Sequence, residues 1–424
     1  MIKRKLNIIS GLLALGLVMS CWGGEQVSHL DLSIEDAVSI AIEGNLSLKE
    51  SQISLDTAVR NKNFAWSSAS PSVRGSFSYS NALESGTSRT SLTGAASLTL
   101  SPSIYTSIKS AVLSYEQQEI SYERAVRQLE MEVRKLYYNI LCDMSKVELE
   151  RSNLESSRKQ YEANLAKYNS GSLARLDVLS AQVSYQNAQV SLQEAENTLE
   201  SDLVSFKQVL ALDLSTELSF KDSLDSILEI GDIDIEGVEH KVYSIESTKK
   251  QLEAAKNILL ASRFSAWGPS ITAGYTYSAD LSSSSFSDPG SISVSVSIPV
   301  DGFLPWSQGA LSVASQKDNI KSLEISIQDA QVTHDVNVIK YLREIKQAKE
   351  LIELRKANVE VAQQTYEMTQ TAYNRGTKDL ISLQTASDNL NQSRVNLMGQ
   401  SYTLISYILQ LEDELGLPYG TLGK

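Results

Sequence analysis

The chain contains itself twice. YEANLAKYNSG, from Tyr161 to Gly171, returns 205 positions later as YEMTQTAYNRG, from Tyr366 to Gly376, and the offset runs without a gap through the flanking sequence. Every seventh residue of both copies is apolar. The first copy reads Val126, Val133, Ile140, Val147, Leu154, Tyr161 and Tyr168, and resumes past the glycine with Val178, Tyr185, Leu192, Leu199 and Phe206. The second reads Val338, Ile345, Ile352, Val359, Tyr366 and Tyr373, then Leu383, Leu390, Leu397, Leu404 and Leu411. A seven-residue apolar period keeps one seam in register only when helices supercoil around neighbours, so these segments are coiled-coil helices. From Ile104 to Asn169 there is no glycine or proline, and at 1.5 Å per residue those 66 positions reach roughly 100 Å. Gly171 and Gly376 supply the reversals, because glycine tolerates the left-handed conformation that ends a helix. Each copy is predicted to be a long helical hairpin.

Strand sequence precedes each hairpin. SVRGSFSYSNA (72–82) and SLTGAASLTLS (91–101) come before the first, SITAGYTYSADL (270–281) and SISVSVSIPV (291–300) before the second. In each, aliphatic or aromatic residues alternate with Ser, Thr and Gly; Arg74 and Asp280 are the charged members of the polar faces. A soluble sheet normally dresses its wet face with Lys, Glu and Arg. Hydroxyls opposite hydrocarbon fit a wall between lipid and a narrow aqueous lumen, and 10 to 12 residues suffice for a tilted membrane strand. Four strands cannot close on themselves, and an open edge cannot be left in lipid. Three copies in cyclic symmetry would supply twelve. The predicted fold class is therefore α plus membrane β-barrel, closed as a homotrimer.

Lys3, Arg4 and Lys5 followed by the apolar run Leu6–Met19 read as a secretory signal, too short to span a bilayer. Cys21 after Val18-Met19-Ser20 resembles a loose lipobox, and a plain signal cut nearby accounts for it as well. Removing the signal takes the formal net charge from −13 to −16, a balance that argues against nucleic-acid binding. No later apolar run approaches the length of a membrane helix, so a bilayer crossing must use strands. The expected organisation is a signal (1–20), a first repeat (21–212, strand pair 72–101, hairpin 104–212), a linker (213–240), a second repeat (241–417, strand pair 270–300, hairpin 307–417) and a short tail (418–424).

This order of helix, strand pair and long hairpin, repeated, resembles the outer membrane efflux protein family, the TolC-like channels. SIEDAVSIAIEGN (Ser33 to Asn45) looks like the family's opening helix, Pro71 and Pro269 stand at the helix-to-strand turns, and Tyr168 to Gly171 and Tyr373 to Gly376 form its paired Tyr-x-x-Gly segments. The resemblance implies a homotrimeric twelve-stranded barrel in outer membrane lipid and a helical tunnel across the periplasm. It implies as partners a periplasmic adaptor (membrane fusion protein) and an inner-membrane pump or ABC transporter, and it places Asp213 to about Glu239 in an equatorial collar. It also implies a periplasmic gate. Tyr373 takes the tyrosine position, Lys378 the basic one, usually arginine, and Asp177 the acidic one, with helix-end solvation and heptad packing as the bland alternative. Lysine lacks the planar fork that grips a carboxylate, so such a latch is softer. Ser382 and Thr385 stand where some members carry paired aspartates. Arg175 and Arg375, beside the turns at Gly171 and Gly376, are solvated surface or adaptor contacts. Trp66, Trp267 and Trp306 lie at helix–strand junctions, as interface anchors or as packing.

His29, His240 and His334 are scattered without metal-ligand spacing, and GxSxG, P-loop and dinucleotide signatures are missing. No residue set points to catalysis or to a cofactor. The reading is a passive exit duct of a tripartite efflux or type I secretion system, gated at its helical tip. The alternatives are a structural or adhesive envelope coiled coil without a pore, and an adaptor subunit, which would lack the four strands.

Overall fold

The computed structural model describes residues 29–82, 87–222, 242–281 and 290–422. The predicted signal, Cys21, residues 223–240 of the linker, and residues 83–86 and 282–289 of the loops joining the strand pairs lie outside the described residues. In chain order the elements are β1 (His29–Leu32), α1 (Ile34–Gly44), α2 (Leu46–Asn63), a short 3-10 turn, β2 (Ser72–Ala82), β3 (Thr87–Leu100), α3 (Ser103–Asn169), α4 (Arg175–Leu210), β4 (Glu217–Phe220), α5 (Tyr243–Trp267), β5 (Ser270–Asp280), β6 (Ser291–Ser297), α6 (Gln308–Asn374) and α7 (Leu380–Glu414). The fold is helix-dominant α+β.

Helices α3 and α6 are each 67 residues long, and each ends two residues before its turn glycine, Gly171 or Gly376. Gly171 and Gly376 sit at φ +76° and +74°, the region where a Cβ would crowd the following carbonyl. The heptad positions are where the packing is: Val133, Ile140, Val147, Ile345, Ile352, Leu383, Leu390, Leu404 and Leu411 are all buried. On α4 the buried series is Val178, Ala181, Ala188 and Ala195, whose small side chains leave room for a close neighbour. No helix is long and apolar enough to cross a membrane among the described residues.

Two strand boundaries differ from expectation by more than one residue. β3 starts at Thr87, four residues early, because Thr87 to Thr90 complete the ladder with Tyr79 to Ala82. β6 stops at Ser297 instead of Val300, since Pro299 has no N–H to donate to a ladder. The opening helix is also two helices. Ser33 caps α1 by accepting from Asp36 N while Asp36 accepts from Ser33 N. At its end, Asn45 turns extended, accepts from Leu48 N (3.1 Å) to cap α2, and donates to Val209 O (2.9 Å) on α4. A Cβ on Gly44 would lie 2.8 Å from Leu210 O, so the Gly44-Asn45 pair is a docking point of the N-terminal helices on the first hairpin.

The largest core gathers Leu32, Val38, Val133, Tyr137, Phe206 and Leu210 where α1, α3, α4 and the β strands meet. Here β1 and β4 pair in parallel, His29 with Glu217 through Leu32 with Phe220, a two-stranded sheet that sequence reasoning did not anticipate. Leu218 and Phe220 therefore pack at this core, at the start of the predicted linker. Arg134 is buried and bridges Glu130 (2.8 Å) and Glu35 (3.1 Å), tying α1 to α3. The tail does not trail free over its described part. Glu412, fully buried, accepts from the backbone N–H of Gly420 (3.0 Å) and Leu422 (2.8 Å), folding residues 418–422 back on α7.

One charge pair within the first hairpin bears on pH. The Asn139 amide donates to Asp202 Oδ2 on α4 (2.5 Å) and to Asp143 Oδ2 on α3 (3.2 Å), holding two carboxylates around one nitrogen. Burial, then the hydrogen bond and repulsion from Asp202, push the Asp143 carboxyl up to about 7. Its folded value lies above its unfolded one, so the folded chain holds the extra proton in between. Stability is greatest below the unfolded value near pH 4 and is lost as pH rises to about 7. A scan of melting temperature from pH 4 to 8 is expected to fall in the natural chain and to flatten in Asp143→Asn; parallel profiles would refute the shared proton.

Candidate functional site

Two regions have the geometry of a working surface: the four-stranded sheet and the ends of the hairpins. The sheet has the order β2-β3-β5-β6, antiparallel throughout. Its register carries the two faces across every strand. Val73 stands beside Ala96, which stands beside Tyr275 and then Ile292; Leu98, Ala273 and Val294 form another row, and Leu100, Ile271 and Val296 a third. A shift of one residue at any ladder would have broken these rows. The opposite face is hydroxyl-rich, and its rows are bonded to one another: Ser72 with Ser97 (2.8 Å), Ser78 with Ser91 (2.7 Å), Thr93 with Ser278 (3.3 Å) and Thr99 with Thr272 (3.1 Å).

The apolar face is uncovered. Val73, Phe77, Ile292, Val294 and Val296 are each 65–81 % exposed, which for contiguous β-branched and aromatic residues is a surface that water does not suit. The outer edges of the two edge strands, β2 and β6, have no partner strand among the described residues. The helices repeat the theme. On α4 the heptad series Leu176, Val183, Val190 and Val204 is exposed, and so is Leu354, Val361 and Met368 on α6. Each hairpin thus has a second apolar seam besides the one it buries.

At the hairpin ends the predicted gate residues differ in their surroundings. Tyr373 is 9 % exposed and packs with Leu380, Leu383 and Ala181, with Tyr161 and Tyr366 alongside. Its hydroxyl donates to Asn164 Oδ1 on α3 (2.7 Å), which also accepts from Gln160 Nε2 (2.9 Å). Burial raises the Tyr373 hydroxyl, and the charge of Asp177 in the first turn of α4 adds to the rise. The partner of the Tyr373 hydroxyl is Asn164, and no hydrogen bond joins Tyr373 to Asp177 among the described residues. Lys378 is not part of that contact: among the described residues no ion pair joins it to Asp177, and it precedes Asp379, whose Oδ1 caps α7 at Ser382 N (2.9 Å). Asp379 is held below the usual carboxylate range by that capping. Thr385 is turned back to its own helix, donating to Ile381 O (2.9 Å). Arg175 opens α4, and Arg375 follows the last residue of α6.

Sequence reasoning missed Asn164 and Gln160. An Asn on a helix carries no signal of its own; only its complete burial beneath a tyrosine of the other hairpin marks it. Beside this contact lies a cleft of about 190 Å³ between the hairpins, lined by Ser156, Gln160, Ser184, Tyr366 and Gln384 among others. Trp66 and Trp306 are exposed, whereas Trp267 is partly covered and tilts against Phe303.

Solved structures share this fold. The Campylobacter jejuni CmeC outer membrane channel is 18% identical, with a TM-score of 0.77 over 90% of this chain and 85% of that one. The Vibrio cholerae outer membrane protein VceC is 13% identical, with a TM-score of 0.72 over 91% of this chain and 96% of that one. The open state of the Neisseria gonorrhoeae MtrE outer membrane channel is 15% identical, with a TM-score of 0.72 over 91% and 89%. At such identities the likeness is one of fold. A search of curated protein sequences finds no match. The sequence itself matches the family described as outer membrane efflux protein over residues 37–212 and 243–416, nearly all of both hairpins and both strand pairs, and the chain belongs to that family.

Proposed function

We propose that this chain forms, as a homotrimer, the outer-membrane exit duct of a tripartite efflux or type I secretion system. Three copies of the sheet close as a twelve-stranded barrel in outer membrane lipid, β2 of one copy pairing with β6 of the next. The helices continue it as a tube in the periplasm, where an adaptor and an inner-membrane pump or ABC transporter engage it. The observation that carries this reading is the sheet: one face of exposed Ile, Val and Phe, one face of hydroxyls, and two unpaired edges. Lipid covers the first, water fills the second and a neighbouring copy satisfies the third. The exposed heptad seams on α4 and α6 supply the matching contacts below the barrel, since a head-to-tail ring pairs one surface with a different one. Residues 21–212 and 241–417 act as tandem repeats, an organisation supported by α3 and α6 starting and ending 205 residues apart.

Purified in detergent, the protein is expected to have the mass of three chains and to conduct ions in planar bilayers. A monomer that stays dispersed without amphiphile overturns the proposal, and a trimer that never conducts favours an envelope coiled coil without a pore.

At the tip, the Tyr373 hydrogen bond to Asn164 is the intrachain part of a latch, Asp177 is its acidic member, and Lys378, in no ion pair among the described residues, reaches the acidic group of a neighbouring copy. Arg175 and Arg375, at the turns set by Gly171 and Gly376, face the adaptor. Tyr373→Phe removes one hydrogen bond from the closed state, worth about 1 kcal/mol or about fivefold in the closed-to-open ratio per copy. Single-channel recordings are expected to show a raised open probability in this variant with assembly unchanged. An open probability equal to that of the natural chain would assign Tyr373 to packing alone.

A further inference from the structure

Charge on the polar face of the sheet is scarce and unevenly placed. Among the described strand residues that face carries Arg74, Arg89 and Asp280, with Ser, Thr, Ala and Gly at its other positions. Arg89 and Asp280 form an ion pair at 3.2 Å toward one end of the ladders, so their charges largely cancel. Arg74 stands toward the other end. It is exposed, opposite Ala95, and the row continues through Thr276 to Ser291. No ion pair reaches it among the described residues. Asp280 is paired with Ser91 in the register, four positions along β3 from Ala95, roughly 13 Å away at the rise of a strand.

Arg74 also lies on β2, an edge strand. The strand brought beside it by ring closure, β6, offers Ser291, Ser293, Ser295 and Ser297 on the same face and no carboxylate. Closure therefore leaves the guanidinium unneutralised and repeats it three times at one height. Twelve strands spaced about 4.8 Å and tilted about 40° enclose a backbone cylinder roughly 24 Å across. Three arginine side chains reaching inward leave the axis within about a Debye length of each charge, 8–10 Å at 0.1–0.15 M salt. Hydroxyl walls do not screen them.

We propose that Arg74 is a specificity-determining residue of the duct: three copies form a cationic ring at one end of the barrel that favours anions and anionic solutes over cations. The inference rests on the trimeric duct reading and adds to it a class of solute. It is tested on the full-length trimer in planar bilayers by reversal potential in a KCl gradient, for the natural chain, Arg74→Lys, Arg74→Ser and Arg74→Glu. The chloride-to-potassium permeability ratio is expected to be kept in Arg74→Lys, to fall by roughly twofold or more in Arg74→Ser, and to fall further in Arg74→Glu. Because the helical tunnel is common to all four proteins, its own charges drop out of the comparison. Conducting channels with one ratio in all four overturn the ring and leave the duct standing. Absence of conductance in the natural chain removes the duct, and the ring with it. Should Arg74→Ser fail to assemble, block of the natural channel by inorganic tripolyphosphate, compared with Arg74→Lys and Arg74→Glu, decides the matter: equal block in all three overturns the ring.

Discussion

Val294→Arg is expected to abolish assembly into the membrane, whereas Ser295→Arg, one residue along, is expected to leave the trimer intact. Val294 is the middle residue of β6, 69 % exposed, in a row with Ala273 and Leu98 on the apolar face. A lipid-facing arginine at mid-depth costs about 2–4 kcal/mol, and a trimer bears it three times. Ser295 points to the hydroxyl face, opposite Thr272, where water solvates a guanidinium. The readout is the fraction of each protein that runs as trimer after membrane extraction. Loss of the trimer in both variants, or in neither, would mean that the two faces of the sheet do not see lipid and water.

The second large effect is predicted far from the sheet. Tyr137→Ala should lower stability by about 3–5 kcal/mol, the usual cost of emptying a buried aromatic site. Tyr137 is fully buried, packs against Phe220 at 5.2 Å between ring centroids and against Phe206 at 6.3 Å, and donates from one hydroxyl toward Leu32 O (3.1 Å) and Asp222 Oδ2 (2.7 Å). Asp222 also accepts from Ile34 N at the start of α1 (3.2 Å). One side chain thus joins β1, the chain just after β4 and the first hairpin. Tyr137→Phe keeps the ring and is expected to lose only about 1–3 kcal/mol, the cost of a buried acceptor left unpaired. Urea unfolding measures both, together with cleavage after Lys221 by trypsin, which should accelerate in Tyr137→Ala. Equal midpoints for the two variants would show that the ring contributes nothing beyond its hydroxyl.

The hairpins were legible because a heptad is a local rule. Val133, Ile140, Ile345, Leu404 and Leu411 lie seven or a multiple of seven apart within each helix, and burying that stripe requires no knowledge of what lies opposite. The sheet was legible for a related reason: a period of two sorts side chains to two faces whatever the partner strand is. Even the Pro299 limit on β6 is a local property, overlooked in favour of the alternation that continues through Ile298 and Val300. The site was legible only in part. Tyr168 and Tyr373 occupy equivalent places in identical Tyr-Asn-x-Gly settings, yet Tyr168 is 41 % exposed and Tyr373 9 %. The difference comes from the side of the hairpin on which the other hairpin lies, and no neighbour in sequence records that.

By itself the amino-acid order determined that two long helical hairpins alternate with two pairs of two-faced strands, and that they reverse at Gly171 and Gly376, because periodicity and backbone freedom act over a turn or two of chain. Only the tertiary structure decided that Leu32 pairs with Phe220, that Asp143 meets Asp202, and that Asn164 receives the Tyr373 hydroxyl. Those contacts join segments from 59 to more than 200 residues apart, and their free energy arises from burial and hydrogen bonding that exist only once the elements have packed.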